Sequence, residues 1–281
     1  MLPLLLSGDD RRGQLRGGGL RHPRRGHTLL EGHHRAGRNL LRGRGRGHLC
    51  GEAGERVRVR PARPAAMIAG VDEAGRGPVI GPLVIACVSV DPSGVGRLLE
   101  IGVRDSKRLS PDRREELFEE ISSIARVRVL VVGPREVDRA VETEGLDSME
   151  ARLFARLIEE SGADLAFVDA PARRPITFAR RLFSELRRPV VVFLEAEADS
   201  KYPVVAAASI AAKVVRDREV GKLREEYGDF GSGYPGDPKT RRFLEALASR
   251  GEAPPIVRRS WSTWRRLRQR TLEGARPEDS E

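Results

Sequence analysis

Beyond residue 66 the sequence contains no histidine, because all five (His22, His27, His33, His34 and His48) precede Met67. That absence excludes a His-ligated zinc, a Ser-His-Asp triad and a Cys-His pair from residues 67–281. Metal chemistry there has to use carboxylates, which select hard cations such as magnesium or manganese. Cysteine is scarce as well. Two in 281 residues cannot build a disulfide scaffold. Cys87, inside an apolar run at 83–90, reads as a buried thiol of a reducing compartment. Long hydrophobic runs are missing. The longest weakly polar stretch, residues 78–90, is broken by Gly81 and Pro82 and falls short of the roughly 18 residues a membrane span needs. Residues 2–6 have no basic flank and meet Asp9 and Asp10 too soon for a signal peptide. A cytosolic protein without membrane attachment is expected.

Charge is present but unevenly spread. The formal net charge of +10 suggests a nucleic-acid-binding protein. Residues 1–66 carry fifteen Arg against five acids and so hold the whole excess, whereas 67–281 balance 36 basic against 36 acidic groups. Residues 1–66 also lack Phe, Trp, Tyr, Ile and Lys, and thirteen of them are Gly. Such a segment cannot bury enough apolar surface to offset roughly 1–2 kcal/mol of backbone entropy per residue, so it is expected to be disordered. Its Arg-Gly alternation at 42–47 is similar to an RNA-binding tail. The abrupt change of composition at Met67 makes that residue the expected true start.

From Met67 onward, apolar runs of strand length alternate with stretches of helix length. Strands are expected at 68–71, 83–90, 127–132, 165–168 and 190–194. Ser110-Pro111 is an N-cap followed by proline at the first helical position, opening a helix to about Ser123. Further helices are expected at 148–160, 176–186, 204–227, 237–249 and 260–270. The pattern indicates an α/β domain with a mixed sheet flanked by helices, and no internal repeat.

Four acids stand after apolar strands, where an unpaired charge is costly. Asp72 and Glu73 follow 68–71, Asp169 follows 165–168, and Asp199 follows 190–194 after a short loop. Side chains at the carboxyl ends of strands line the ligand crevice of an α/β sheet, so these carboxylates can meet there. Two anions about 4 Å apart repel by roughly 4 kcal/mol at an effective dielectric of 20. A pair of divalent ions removes that cost and forms the two-metal site of nucleases. Neighbours on a regular strand point to opposite faces, so Asp72 and Glu73 are expected to share a site only if the strand bends or ends there. A lone Asp after a strand also serves as a cap or turn residue, which is open for Asp169 before Ala170-Pro171.

The motifs around these acids are specific. Residues 67–82 read Met-Ile-Ala-Gly-Val-Asp-Glu-Ala-Gly-Arg-Gly-Pro-Val-Ile-Gly-Pro. Then come Asp105-Ser106-Lys107-Arg108-Leu109-Ser110, Val168-Asp169, and Ala198-Asp199-Ser200-Lys201-Tyr202-Pro203 with Ala207-Ala208-Ser209-Ile210-Ala211-Ala212-Lys213. Gly233-Tyr234-Pro235-Gly236-Asp237-Pro238 and Arg258-Arg259-Ser260-Trp261 complete the series. In this order the blocks closely resemble ribonuclease HII, particularly its archaeal form, over nearly all of 67–281 and none of 1–66. The resemblance implies a ribonuclease H-like catalytic domain at 67–228 with a C-terminal helical extension at 229–281. It implies hydrolysis of RNA paired to DNA and of single ribonucleotides in duplex DNA, with cutting on the 5′ side to leave 3′-hydroxyl and 5′-phosphate ends. It also implies that Asp72, Glu73, Asp169 and Asp199 bind two magnesium or manganese ions.

The same resemblance makes Gly75-Arg76-Gly77 a ribose sensor with Tyr234 as its partner. Glycines let the backbone approach sugar and phosphate, and Arg76 is suited to clamp a phosphate. Lys107, Ser209 and Lys213 are candidate substrate contacts. Ser209, Lys213 and Arg216 share one helical stripe, which a solvated face would also explain. Trp261 and Trp264 read as core anchors. Two departures stand out: Ala196-Glu197 where the family often has His-Lys, and Ala206 where it often has Ser. A monomer acting on hybrid and ribonucleotide-bearing duplex is expected, and a sliding-clamp partner is not readable. A non-catalytic nucleic-acid-binding protein and another ribonuclease H-like nuclease are the competing readings.

Overall fold

The structure is a computed structural model that describes residues 66–103, 109–171 and 175–274, all within one compact unit of the chain. In chain order the elements are β1 (Ile68–Ala74), β2 (Leu83–Val90), α1 (Pro92–Glu100), α2 (Pro111–Ile124), β3 (Arg126–Val132), α3 (Pro134–Thr143), α4 (Leu146–Ser161), β4 (Leu165–Asp169) and α5 (Pro175–Glu185). They continue with β5 (Val191–Glu195), a short 3-10 turn at Ala198–Ser200, α6 (Pro203–Tyr227), α7 (Pro238–Ser249) and α8 (Ser262–Gly274). The sheet order is β3-β2-β1-β4-β5; β1, β2 and β3 are antiparallel neighbours, whereas β1, β4 and β5 run parallel. This is the mixed sheet with flanking helices that the sequence predicts.

The two faces of the sheet bury separate cores. Leu83, Ile85 and Cys87 of β2 meet Ala69 and Val71 and the apolar stripe of α4. Val84, Ala86, Val88 and Val90 of the same strand meet α6. Covered on both sides, β2 reads as a continuous apolar run rather than an alternating one. Burial pushes the Cys87 thiol up to about 12, so it is an inert core group. α6 lies very close to β1, and its first half is rich in alanine because there is no room for more: a Cβ on Gly70 would sit 2.1 Å from the Val204 carbonyl carbon. A third core joins α7 and α8 to Val79, Ile80 and Val220. Trp264 is buried in it, while Trp261 is only half-buried. Among the described residues no helix is long and apolar enough to cross a membrane.

Several local expectations need correction. Helices α1 and α3 were not expected. Asp91 caps α1 by accepting from the Gly94 amide at 2.8 Å, but Gly94 and Gly96 dilute its apolar period. α3 starts at Gly133-Pro134 with no side-chain cap to announce it. Strand β1 neither bends nor ends at Val71. Its ladder with β2 continues through Asp72↔Ala86, Glu73↔Ile85 and Ala74↔Val84. What stops is the other ladder, because β1 and β4 pair only as far as Val71↔Val168.

Candidate active site

The end of the β1–β4 ladder positions the acids. One residue past Val71↔Val168 come Asp72 and Asp169, side by side on the face covered by α6. Asp169 also pairs with Glu195 as the last rung of β4–β5. Asp199 lies in the 3-10 turn that leads into α6, where it is buried like Asp72. Glu73 alternates to the α4 face, opposite Ile85. The charges of Asp169 and Asp199 reach it at the open sheet end without a bend in the strand.

Asp72 and Asp169 are oriented by neighbours. Asp72 accepts from the Glu73 amide at 2.7 Å and from the Ser209 hydroxyl. Lys213 in turn donates to Ser209 Oγ at 2.8 Å. Asp169 Oδ1 accepts from the Ala198 amide at 3.1 Å. Among the described residues, no three His, Cys, Asp or Glu side chains stand together as a ready-made metal cage. The acids are instead linked by their fields. Burial, then the charges of Glu73 and Asp169, hold Asp72 well above the usual carboxylate range. Burial, opposed by Arg76 and reinforced by Asp169 and Asp199, raises Glu73 to about 7.

The Gly75-Arg76-Gly77 turn follows directly. Gly75 has φ of +87°, and a Cβ there would meet Pro82 O and Arg216 Nε at 2.6 Å, so only glycine fits. A Cβ on Gly77 would lie 3.3 Å from the Tyr234 ring, so the turn and Tyr234 are neighbours. Tyr234 is carried by a loop in which Asp237 accepts from the Ser232 and Lys239 amides. Gly233 O accepts from the amides of Val79 at 2.8 Å and Ile80 at 3.3 Å, which ties that loop to the strand exit. The Arg216 guanidinium lies 5.5 Å from the Tyr234 ring centre.

Arg76 is turned toward α4, pairing with Asp147 at 2.5 Å and with the fully buried Glu150. Those two acids were missed, although Glu150 lies on the apolar stripe with Leu153, Phe154 and Leu157, which is an unusual place for a charge. The stripe of Ser209, Lys213 and Arg216 is not a solvated face, since Ser209 and Arg216 are buried. Lys107 lies outside the described residues. Glu197 is exposed with φ of +58°, and Ala206 is buried beside Asp199.

A mixed sheet of this order, with acids at the ends of its central strands, is the arrangement of the ribonuclease H-like class. The ribonuclease HII family model matches residues 69–264. The chain is 45% identical over 206 residues to ribonuclease HII of Pyrococcus furiosus, an alignment covering 72% of this chain and 91% of that one. The crystal structure of ribonuclease H2 from Pyrococcus horikoshii superposes with a TM-score of 0.69 at 44% identity, covering 74% of this chain and 99% of that one. The Archaeoglobus fulgidus enzyme, solved in a PCNA:RNase HII complex, gives a TM-score of 0.67 at 45% identity over 74% and 99% of the two chains. The chain belongs to the ribonuclease HII family and is an endoribonuclease.

Proposed function

We propose that this endonuclease hydrolyses RNA in RNA/DNA hybrids and cuts duplex DNA at single embedded ribonucleotides. Asp72, Glu73, Asp169 and Asp199 would hold two divalent cations, magnesium or manganese. One observation carries the reading: carboxylates from three chain segments lie close enough for their charges to oppose the ionisation of Asp72 and Glu73. A donor set of oxygens alone, carrying excess negative charge, fits hard dications. When bound, such ions polarise the attacking water and stabilise the oxygen leaving phosphorus.

The chain's own part is orientation and discrimination. The Glu73 amide and the Ser209 hydroxyl aim Asp72, and the Ala198 amide aims Asp169. Ser209, bonded to Lys213, would thus support Asp72 while standing with Lys213 as a candidate substrate contact. Gly75, Arg76 and Gly77 with Tyr234 form the ribose sensor. A site that hydrogen-bonds a 2′-hydroxyl is left unpaired by deoxyribose, which is a strong basis for rejection. Residues 67–228 form the catalytic domain and 229–281 the extension. The Archaeoglobus fulgidus complex makes a sliding clamp the protein partner to test.

A DNA duplex with one ribonucleotide is expected to be incised on its 5′ side in magnesium or manganese, leaving 3′-hydroxyl and 5′-phosphate ends, while the all-DNA duplex stays intact. Uncut substrate with both ions defeats the proposal. Removing residues 1–66, which lie outside the family match, should change neither the rate nor the site of incision. A large loss of duplex affinity on removal, vanishing at high salt, would instead identify a binding arm.

A further inference from the structure

Arg258, between α7 and α8, is the largest fully buried side chain among the described residues. A buried guanidinium ordinarily has a carboxylate beside it. Here its hydrogen bonds run to main-chain oxygens. Nε donates to Gly81 O at 3.0 Å, Nη1 to Arg76 O at 3.1 Å, and Nη2 to Gly75 O at 2.6 Å. Its guanidinium lies 4.8 Å from the Trp261 ring centre, and Trp261 Nε1 donates to Gly77 O at 3.1 Å. The carbonyls of Gly75, Arg76 and Gly77 are thus all held by one short C-terminal segment. Asp138 favours the Arg258 charge through space, but its carboxylate accepts from Arg259 N, Ser260 N and Ser260 Oγ. Burial, then the charge of Arg216, lowers the Arg258 pKa to about 9, which leaves a cation at neutral pH.

Peptide geometry gives this arrangement a consequence. No cis peptide occurs among the described residues, and in a trans peptide the C=O and the following N–H point in opposite directions. With the Gly75 and Arg76 carbonyls turned onto Arg258, the N–H groups of Arg76 and Gly77 are directed to the other side of the turn. We infer that Arg258 is a positioning residue for ribose recognition, holding these peptide planes so that two main-chain donors face the sugar and phosphate of the substrate. The inference rests on the reading of the Gly75–Gly77 turn as the sensor. Arginine suits the task because its planar fork carries donors on three nitrogens, whereas lysine has one nitrogen and cannot span three carbonyls. A fixed positive charge behind the turn also polarises the same peptides and strengthens their outward donors.

The test compares full-length wild type with Arg258→Lys and Arg258→Gln in magnesium. It measures KM and kcat on a duplex bearing one ribonucleotide, and Ki for the matching all-DNA duplex as competitor. The expected result is a fall of about tenfold or more in the ratio of Ki to KM, with Ki itself within about twofold of wild type. A merely structural role would weaken both duplexes alike or lower only the folded fraction, leaving that ratio unchanged. If both variants fail to fold, Trp261→Phe, which removes the donor to Gly77 O and shrinks the ring beside Arg258, carries the same expectation with a smaller fall. Gly77→Ala is the control for the sensor reading. If it collapses the ratio while folded Arg258 variants keep it, or Trp261→Phe keeps it where those do not fold, the role of Arg258 is overturned and the sensor stands. If Gly77→Ala also keeps the ratio, the sensor reading falls, and the inference with it.

Discussion

Asp169→Asn should lose cleavage by about a thousandfold or more, which corresponds to the roughly 4 kcal/mol expected when a charge that holds a catalytic ion is removed. Duplex affinity should stay within about twofold. The substitution keeps the side-chain shape and an oxygen able to accept from the Ala198 amide, so local structure has little reason to change. What disappears is one negative charge beside Asp72 and Glu73, both of which Asp169 pushes toward the protonated form. Removing it relieves repulsion. In metal-free buffer the variant should therefore melt no lower than wild type, the usual sign of a site arranged for function at the expense of stability. Added magnesium should raise the melting temperature of wild type more than that of the variant, because only a ligand that prefers the folded state stabilises it. Single-turnover cleavage and thermal melts with and without magnesium measure all of this. A near-normal rate in the variant removes Asp169 from the proposed metal site.

Gly70→Ala should destabilise the fold by about 3 kcal/mol or more, or roughly 6–12 °C in melting temperature for a protein of this size. Taken alone, strand propensity argues the other way, since replacing glycine by alanine in a strand normally gains about 0.5–1 kcal/mol. The sign is decided by space. A Cβ at Gly70 would lie 2.1 Å from Val204 C, 2.2 Å from Val204 O and 2.4 Å from Val205 N. These are main-chain atoms at the start of α6, so no side-chain rotation can make room. Gly70 is two residues before Asp72, and Val204 is five after Asp199. Any separation of β1 from α6 also moves Asp72 away from Ser209 and Asp199. Activity per folded molecule should therefore fall together with stability. Chemical denaturation read beside cleavage checks both. An alanine variant as stable as wild type would contradict so close an approach of strand and helix.

Much of the active site is legible in the chain because its signals are local. Asp72, Asp169 and Asp199 follow apolar runs that can be recognised within a few residues. Ser110 and Asp237 precede proline at helix starts, and both side chains accept the expected amide bonds, from Arg113 and Lys239. The Gly75-Arg76-Gly77 turn is marked by glycine at a position where φ is positive. The missed features need a partner from far away. Arg258 sits in a run of Val257-Arg258-Arg259-Ser260 that looks like surface charge, yet its acceptors are 177 to 183 residues distant. Arg76 finds its acids on α4, 71 and 74 residues on. The stripe of Ser209, Lys213 and Arg216 has the spacing of a solvated face, and only the packing of α6 on β1 and of Tyr234 on Arg216 reveals burial.

By itself the sequence pointed to carboxylate chemistry and to the strands that would present it, since residue type and short-range periodicity specify these, whereas the sensing role of the Gly75-Arg76-Gly77 turn came from the resemblance to ribonuclease HII. Only the tertiary structure decided that Asp72 and Glu73 occupy opposite faces of an unbroken strand, just past the point where the β1–β4 ladder stops. It also decided that the buried Arg258 guanidinium donates to the carbonyls of the Gly75-Arg76-Gly77 turn. Ladder lengths and the partners of a buried charge depend on segments brought together by folding, and no short window of residues contains both members of such a pair.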